Sequence, residues 1–381
     1  MHKRVAVVAA VLATAAGLGA QSAAPSASML VGIYDEPHTL YGEPDHYFPI
    51  LRQLRTQVLR VNLYWGGKFG VSKSRPFDAA DPADPAYDWR LYDRLVNYAS
   101  QYGVRVLFSV YGTPTWENGG AGLNHAPRSP QALEDFAFAA AIRYSGTYPD
   151  ENGRLLPAVR LWLAWNEPNN PVFLSPQYRR VKGKWTIQSA SDYAKICAAV
   201  YAGVHAAPVD SEQVACGATA PRGNNSPSSS RPSVSPLALL RALKAAGLKQ
   251  FDAYAHHPYY GSASETPATP PRGGSEATAV TLGNIDTLIS ELTRLYGQKP
   301  LWITEYGYQT NPPDLQFGVS LDKQAQYLTD AFALARRNPR ITMMLWFMLQ
   351  DEPILSGWQS GFITAQGKQK PSFSAFQKLP H

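Results

Sequence analysis

The stretch Met29-Leu30-Val31-Gly32-Ile33-Tyr34-Asp35-Glu36-Pro37-His38 decides the fold. A short apolar run with strand character ends in two acids and a proline. An open, doubly wound sheet usually carries a nucleotide loop, G-x-G-x-x-G, directly after its first strand. No such glycines follow Tyr34. Working outward, seven more β-rich runs recur: Val58 to Leu63, Val104 to Tyr111, Val159 to Trp165, Val214 to Thr219, Phe251 to His257, Leu301 to Glu305 and Ile341 to Met348. Helical periods separate them, as in Trp89 to Gln101 (Leu91, Leu95, Tyr98 and Tyr102 in step) and Ser320 to Arg337 (Ala325, Leu328, Phe332, Ala335). Asp88, Ser129, Ser191 and Ser320 stand where N-caps are expected, with Pro130 at a first helical position. Gly103, Gly247 and Gly297 stand just past helix ends. Strict β-then-α repetition implies right-handed crossovers and a parallel sheet. Without the nucleotide loop, closure into a single (β/α)8 TIM barrel with long βα loops is the expected α/β fold. Pro221 to Pro236 and Gly261 to Ala279 read as two of those loops, since the barrel needs the strands on both sides of them.

With 381 residues, 45% hydrophobic and 17% charged, the chain can bury one large core without a second domain. Residues 1–27 read as a secretion signal: His2, Lys3 and Arg4, then an uncharged run from Val5 to Leu18, then small residues from Ala20 to Ala27. The run is too short for a membrane span, which takes roughly 20 residues. Cleavage is expected between about Ala20 and Ser28, leaving residues 28–381 as a secreted barrel domain. Cys197 and Cys216 fall on a helix and the strand after it, so a disulfide is the expected state outside the cell, against the alternative of two buried thiols. The net charge of +6 comes without a basic run or a basic helix face, which argues against a nucleic acid partner.

In a barrel of this kind the βα loops at the C-terminal ends of the strands build the site. The fourth strand closes as Leu161-Trp162-Leu163-Ala164-Trp165-Asn166-Glu167-Pro168-Asn169, the seventh as Leu301-Trp302-Ile303-Thr304-Glu305-Tyr306-Gly307. Each sets a carboxylate directly after an apolar strand. Two converging carboxylates are what cleavage of a glycosidic bond requires, one to protonate the departing oxygen and one to attack the anomeric carbon. Glu167, beside Trp162 and Trp165, suits the acid, with Asn166 able to hold a sugar hydroxyl; Glu305 suits the nucleophile. Strand parity turns Arg60 and Asn62 away from Leu59, Val61 and Leu63, and an arginine inside a barrel must meet an anion, for which Glu305 is the candidate. His257 and Tyr259 share a side, where the phenol can reach the nucleophile and the imidazole the substrate or the acid. Trp346 on the eighth strand is expected as the apolar floor beneath the sugar. Trp116, Tyr64, Trp65 and Trp185 lie in βα loops as candidate subsite aromatics, with plain packing as the alternative. Asp351 and Glu352 are either rim acids that contact a terminal sugar or a solvated turn. His256 and His257 point to opposite faces, so no metal site is expected, and His256 is assigned to the core between strand and helix.

Asn166-Glu167-Pro168 on strand four, Thr304-Glu305-Tyr306-Gly307 on strand seven, Arg60 on strand two, His257-x-Tyr259 on strand six and Trp346 on strand eight together resemble clan A of the glycoside hydrolases. The resemblance covers nearly the whole mature chain. Within the clan, Tyr111-Gly112-Thr113-Pro114-Thr115-Trp116 is similar to family 39, which holds β-xylosidases and α-L-iduronidases, whereas the cellulase-like family 5 more often has a histidine there. The resemblance implies retention through a covalent glycosyl-enzyme, no cofactor, and an oligo- or polysaccharide as partner. Many family members carry an added β-sandwich for which this chain has no room. Three other outcomes stay open from sequence: a silent carbohydrate-binding barrel, an inverting enzyme and a transglycosylase. The sugar, and endo against exo action, are set by loops such as Gly66 to Pro85 and Gly119 to Pro127.

Overall fold

The computed structural model describes residues 29–272 and 278–381, so the expected signal segment lies outside the described residues. Eight parallel strands close into a barrel in chain order: β1 (Leu30–Tyr34), β2 (Val58–Tyr64), β3 (Arg105–Tyr111), β4 (Leu161–Ala164), β7 (Gln213–Thr219), β8 (Ala253–His256), β9 (Leu301–Ile303) and β10 (Ile341–Phe347). β10 pairs back onto β1, Leu30 opposite Met343 through Tyr34 opposite Phe347, which completes the ring. The two remaining strands, β5 (Tyr178–Val181) and β6 (Lys184–Ile187), form an antiparallel hairpin on the loop after β4. Trp185 sits on this hairpin, exposed, with the Arg180 guanidinium 5.2 Å from its ring.

Two short helices, α1 (Glu36–Thr39) and α2 (Pro44–Gln53), follow β1, and α3 (Arg90–Gln101) follows β2. Next come α4 (Thr115–Asn118) and α5 (Pro130–Arg143), α6 (Gln188–Ala206) after the hairpin, then α7 (Pro236–Ala245), α8 (Ile285–Tyr296), α9 (Leu321–Arg336) and α10 (Pro371–Gln377). Ser320 caps α9 by accepting from the Lys323 amide, and Pro130 opens α5, as the sequence leads one to expect. Ser191 does not cap a helix. The hairpin feeds α6 directly, with the Gln177 carbonyl accepting from the Gln188 and Ser189 amides, so the helix begins three residues before Ser191. Asp88 stands one residue outside the N-cap, Trp89, of α3.

Alternation along each strand separates two apolar layers. Val58, Leu107, Leu161, Leu163, Ala215, Ala253, Ala255, Trp302, Met343 and Leu345 point inward and fill the lower barrel as one cluster. The intervening positions, among them Ile33, Val61, Phe108, Trp162 and Ile303, pack against the ring of helices in the larger cluster. The expectation for Trp346 is corrected by this alternation. With Met343 and Leu345 inward, the inward side chain at the mouth is Phe347. Trp346 is fully buried in the outer layer, its indole N–H donating to the Ser360 carbonyl at 2.8 Å and its ring against Phe362. Trp346 therefore offers no surface to a ligand.

Close approach at one strand pair accounts for a glycine: a Cβ on Gly32 would stand 2.0 Å from the Val58 carbonyl oxygen. Cys197 on α6 and Cys216 on β7 form a disulfide with Cα atoms 5.9 Å apart, pinning a helix to the barrel. Asp351 proves to be neither a rim acid nor a solvated turn. It is buried and pairs with Lys370 Nζ at 2.7 Å, fastening the segment after β10 to the start of α10. Among the described residues no helix is long and apolar enough to cross a membrane.

The disulfide closes a loop of 19 residues. Replacing both cysteines by alanine should lower the unfolding free energy by about 3 kcal/mol through the chain-entropy term. Urea denaturation of the double variant against the oxidised protein measures it, and equal midpoints would show that the cross-link adds nothing.

Candidate active site

The barrel narrows the search to side chains that face inward above its apolar plug. Arg60 is one of them and has no solvent exposure. Its Nε donates to Ser109 Oγ at 2.8 Å on β3, and its Nη2 to Asn166 Oδ1 at 2.7 Å beyond β4. Nη1 lies 2.7 Å from Glu305 Oε1, 3.1 Å from the Thr304 carbonyl and 3.2 Å from His257 Nε2. The Tyr34 ring lies beneath the guanidinium, its centroid 4.3 Å from Cζ. One cation thus gathers groups from β1, β3 and the ends of β4, β8 and β9. The expected partnership of Arg60 with Glu305 is present.

Glu167 reaches the same space by a backbone turn. Trp165 and Glu167 have φ of 68° and 36°, a conformation that costs a non-glycine residue of order 1 kcal/mol or more. The Glu167 amide donates to the Ala218 carbonyl at 2.9 Å, where β7 is itself bulged, and so the turn is held from the neighbouring strand. Glu167 Oε2 accepts from Asn170 Nδ2 at 2.9 Å and Oε1 from His257 Nδ1 at 3.1 Å. Since Nε2 of His257 faces the Arg60 N–H and the Thr304 hydroxyl (3.0 Å), it acts as acceptor and the ring proton sits on Nδ1. Burial, joined by the Arg60 charge and opposed by Glu305, pushes the His257 pKa down to about 3, so the ring is neutral at ordinary pH.

Burial also raises the Glu167 carboxyl to about 7, against the opposing effects of the Asn170 hydrogen bond and the Arg60 charge. Trp162 is not the cause, since it faces the helices and packs on Phe108; the Trp165 ring lies 4.8 Å from that of Tyr111, its indole bonded to the Phe173 carbonyl. Glu305 has the opposite surroundings: the Arg60 cation on Oε1 and the Tyr259 hydroxyl donating to Oε2 at 3.2 Å. A carboxyl whose pKa burial raises stands beside one that is matched to a cation, the arrangement that separates acid and nucleophile roles.

Glu167, His257 and Glu305 each bring one oxygen or nitrogen to within 4.8 Å of the others, close enough for a metal ion. Their atoms already serve one another, however. The histidine proton is directed at Glu167, and the positive charge beside Glu305 is a guanidinium. The set is built around a proton and Arg60. His256 is a core residue between Thr219 Oγ1 (2.7 Å) and the Val280 carbonyl (2.9 Å).

The remaining candidates divide. Asn166 spends its oxygen on Arg60 and keeps its amide nitrogen as a donor for a hydroxyl. Trp116 lies on α4 and touches Ser72, Arg75 and Trp65 rather than either carboxylate. Trp65 is fully buried against Phe136. Two residues were passed over. Glu36, directly after β1, is buried at the mouth: Oε1 accepts from the Asn62 amide (2.5 Å) and the Tyr34 hydroxyl (3.3 Å), and Oε2 from the Tyr64 hydroxyl (3.2 Å). Burial raises its carboxyl to about 7. Its position in Asp35-Glu36 after the first strand was the available signal. Phe347, the other, alternates with Trp346 along β10, and nothing in the sequence says which of the two faces inward.

Residues 278–376 match a family model described as a glycosyl hydrolase catalytic core. No curated protein matches the chain. Among solved structures, the fold is similar to a family 39 glycoside hydrolase from Bacteroides cellulosilyticus, with a TM-score of 0.64 and 18% identity over 92% of this chain. The match spans 64% of that protein, less than two thirds of its length. A family 39 β-xylosidase from Caulobacter crescentus matches with a TM-score of 0.59 and 18% identity, over 94% of this chain and 72% of the other. A fungal β-1,4-galactanase matches with 0.58 and 13%, over 92% and 99%.

A stability consequence follows from the buried pairing. Removing one partner of a buried ion pair leaves an uncompensated charge and costs about 3–5 kcal/mol. Glu305→Ala should therefore lower the unfolding free energy by about 3 kcal/mol, read by urea denaturation. A loss under about 1 kcal/mol would mean that the other acceptors satisfy Arg60 alone.

Proposed function

We propose that this O-glycosyl hydrolase of the clan A fold is a secreted enzyme that cleaves oligo- or polysaccharides with retention of configuration, using Glu167 as acid/base and Glu305 as nucleophile. The observation that carries the proposal is the spacing: an oxygen of Glu167 and one of Glu305 approach to within 4.8 Å. Retaining enzymes hold their carboxyl groups about 5–5.5 Å apart, whereas inverting ones leave about 6.5–9.5 Å for a water molecule. In the first step the protonated Glu167 hands its proton to the departing glycosidic oxygen while Glu305 attacks the anomeric carbon and forms a glycosyl ester. In the second, Glu167, now a carboxylate, takes a proton from water, which displaces Glu305 from the sugar. Arg60 and Tyr259 hold Glu305 on its line of attack, and the neutral His257 holds Glu167 without competing for its proton. β-Xylosidic, β-glucosidic and α-L-arabinosidic linkages are the proposed targets. Secretion is supported by the pattern of residues 1–27 and by a disulfide that belongs to an oxidising compartment.

Proton NMR of the first product anomer, taken before mutarotation, tests the mechanism: the anomer matching the substrate is expected, and the opposite anomer would exclude Glu305 as nucleophile. Glu305→Ala should abolish turnover while substrate still binds.

The pH profile follows from the raised Glu167 carboxyl. The acid form is present below its pKa and lost above it, so kcat/KM on an unactivated glycoside should fall as pH rises through about 7. Glu167→Gln should lose about 100- to 10,000-fold on that substrate, lose far less on an aryl glycoside with a good leaving group, and lack the alkaline limb. An alkaline limb that persists in Glu167→Gln assigns the titration to another group, such as Glu36.

A further inference from the structure

Next to the catalytic pair the loops after β8, β9 and β10 enclose a cavity of about 450 Å³, within the range of roughly 300–1,000 Å³ that holds small-molecule ligands. Tyr259 is shared between the two spaces: its hydroxyl donates to Glu305, and its ring lies 5.7 Å from that of Trp358 in the cavity wall. Tyr260 is fixed flat against Tyr308 at 4.0 Å, and its hydroxyl donates to the Phe317 carbonyl at 3.0 Å. Phe317 and Trp358 remain about 40% exposed, which is unusual for two large apolar rings facing one hollow. The polar members of the wall include Gln309 and Asp314. Among the described residues, none that lines the cavity is basic.

We propose that this cavity is a glycone subsite that binds a second, uncharged sugar unit of the substrate, the one attached to the ring that Glu305 attacks. The inference rests on the assignment of Glu167 and Glu305 above. The leaving group must lie at Glu167, on the loop after β4, and no residue of that loop lines the cavity. The cavity adjoins the nucleophile instead, through Tyr259. What occupies it is therefore the part of the substrate that stays on the enzyme in the covalent intermediate. Aromatic walls match the C–H faces of a pyranose, and Gln309 and Asp314 match its hydroxyls. A uronic acid would bring a carboxylate to a wall that holds Asp314 and, among the described residues, no counter-cation, so acidic units are disfavoured there.

The test compares 4-nitrophenyl β-xyloside with 4-nitrophenyl β-xylobioside, and the β-glucoside with the β-cellobioside, which keep the leaving group and lengthen only the glycone. In the wild-type protein kcat/KM should rise at least tenfold on lengthening in the series that the enzyme accepts. In Phe317→Ala and Trp358→Ala the ratio of the two values should fall towards one. Because the readout is a ratio within each variant, a general loss of folding cancels. A wild-type ratio near one, or a ratio unchanged in both variants, overturns the subsite. An outer uronic acid unit accepted as well as a neutral one overturns its preference for uncharged sugar. If none of the four glycosides is turned over and Glu305→Ala binds none of them by calorimetry, the hydrolase assignment itself has failed, which is a separate result.

Discussion

A guanidinium with no access to water is the constraint around which the upper barrel is arranged. Arg60 takes its place from the period of β2, which sends it inward above the apolar plug, and there it must be matched by acceptors on every side. Ser109, Asn166, the Thr304 carbonyl, His257 and Glu305 supply them from separate segments of the chain. None of those segments could shift by one residue without turning its acceptor to the helix side. Ring closure and charge matching are thus two views of the same requirement.

The same cation stands differently to the two glutamates. Glu305 touches it directly, while Glu167 meets it across His257, a ring kept neutral by burial. Desolvation of Glu167 outweighs the Asn170 hydrogen bond and the Arg60 charge that oppose it, and its carboxyl is raised to about 7. The left-handed turns at Trp165 and Glu167 show what this placement costs in backbone conformation. Such strain persists where surrounding structure enforces it, and here the bulge of β7 does so through the Ala218 carbonyl.

Eight strands, most of the helices and the disulfide were legible before any coordinates, because period and turn chemistry are local properties. So was the partnership of Arg60 with Glu305, since a charged residue at an inward position demands an opposite charge at another. The hairpin β5–β6 and the start of α6 were missed: four-residue strands rich in Arg, Lys and Thr carry no apolar alternation. Asp351 looked like a rim acid because its partner, Lys370, lies 19 residues away with nothing in the spacing to link them.

By itself the sequence determined which residues alternate and which strand ends carry polar groups, because those follow from the two-residue repeat of a strand. On β10, which carries no charged residue to mark a side, only the tertiary structure decided which of the two alternating sets faces the barrel axis. Trp346 and Phe347 are neighbours with opposite fates: one is sealed beneath the helices and the other stands at the mouth. Parity is a relative quantity along a strand, and its absolute sense comes only from the pairing of β10 with β1 and β9 when the ring closes.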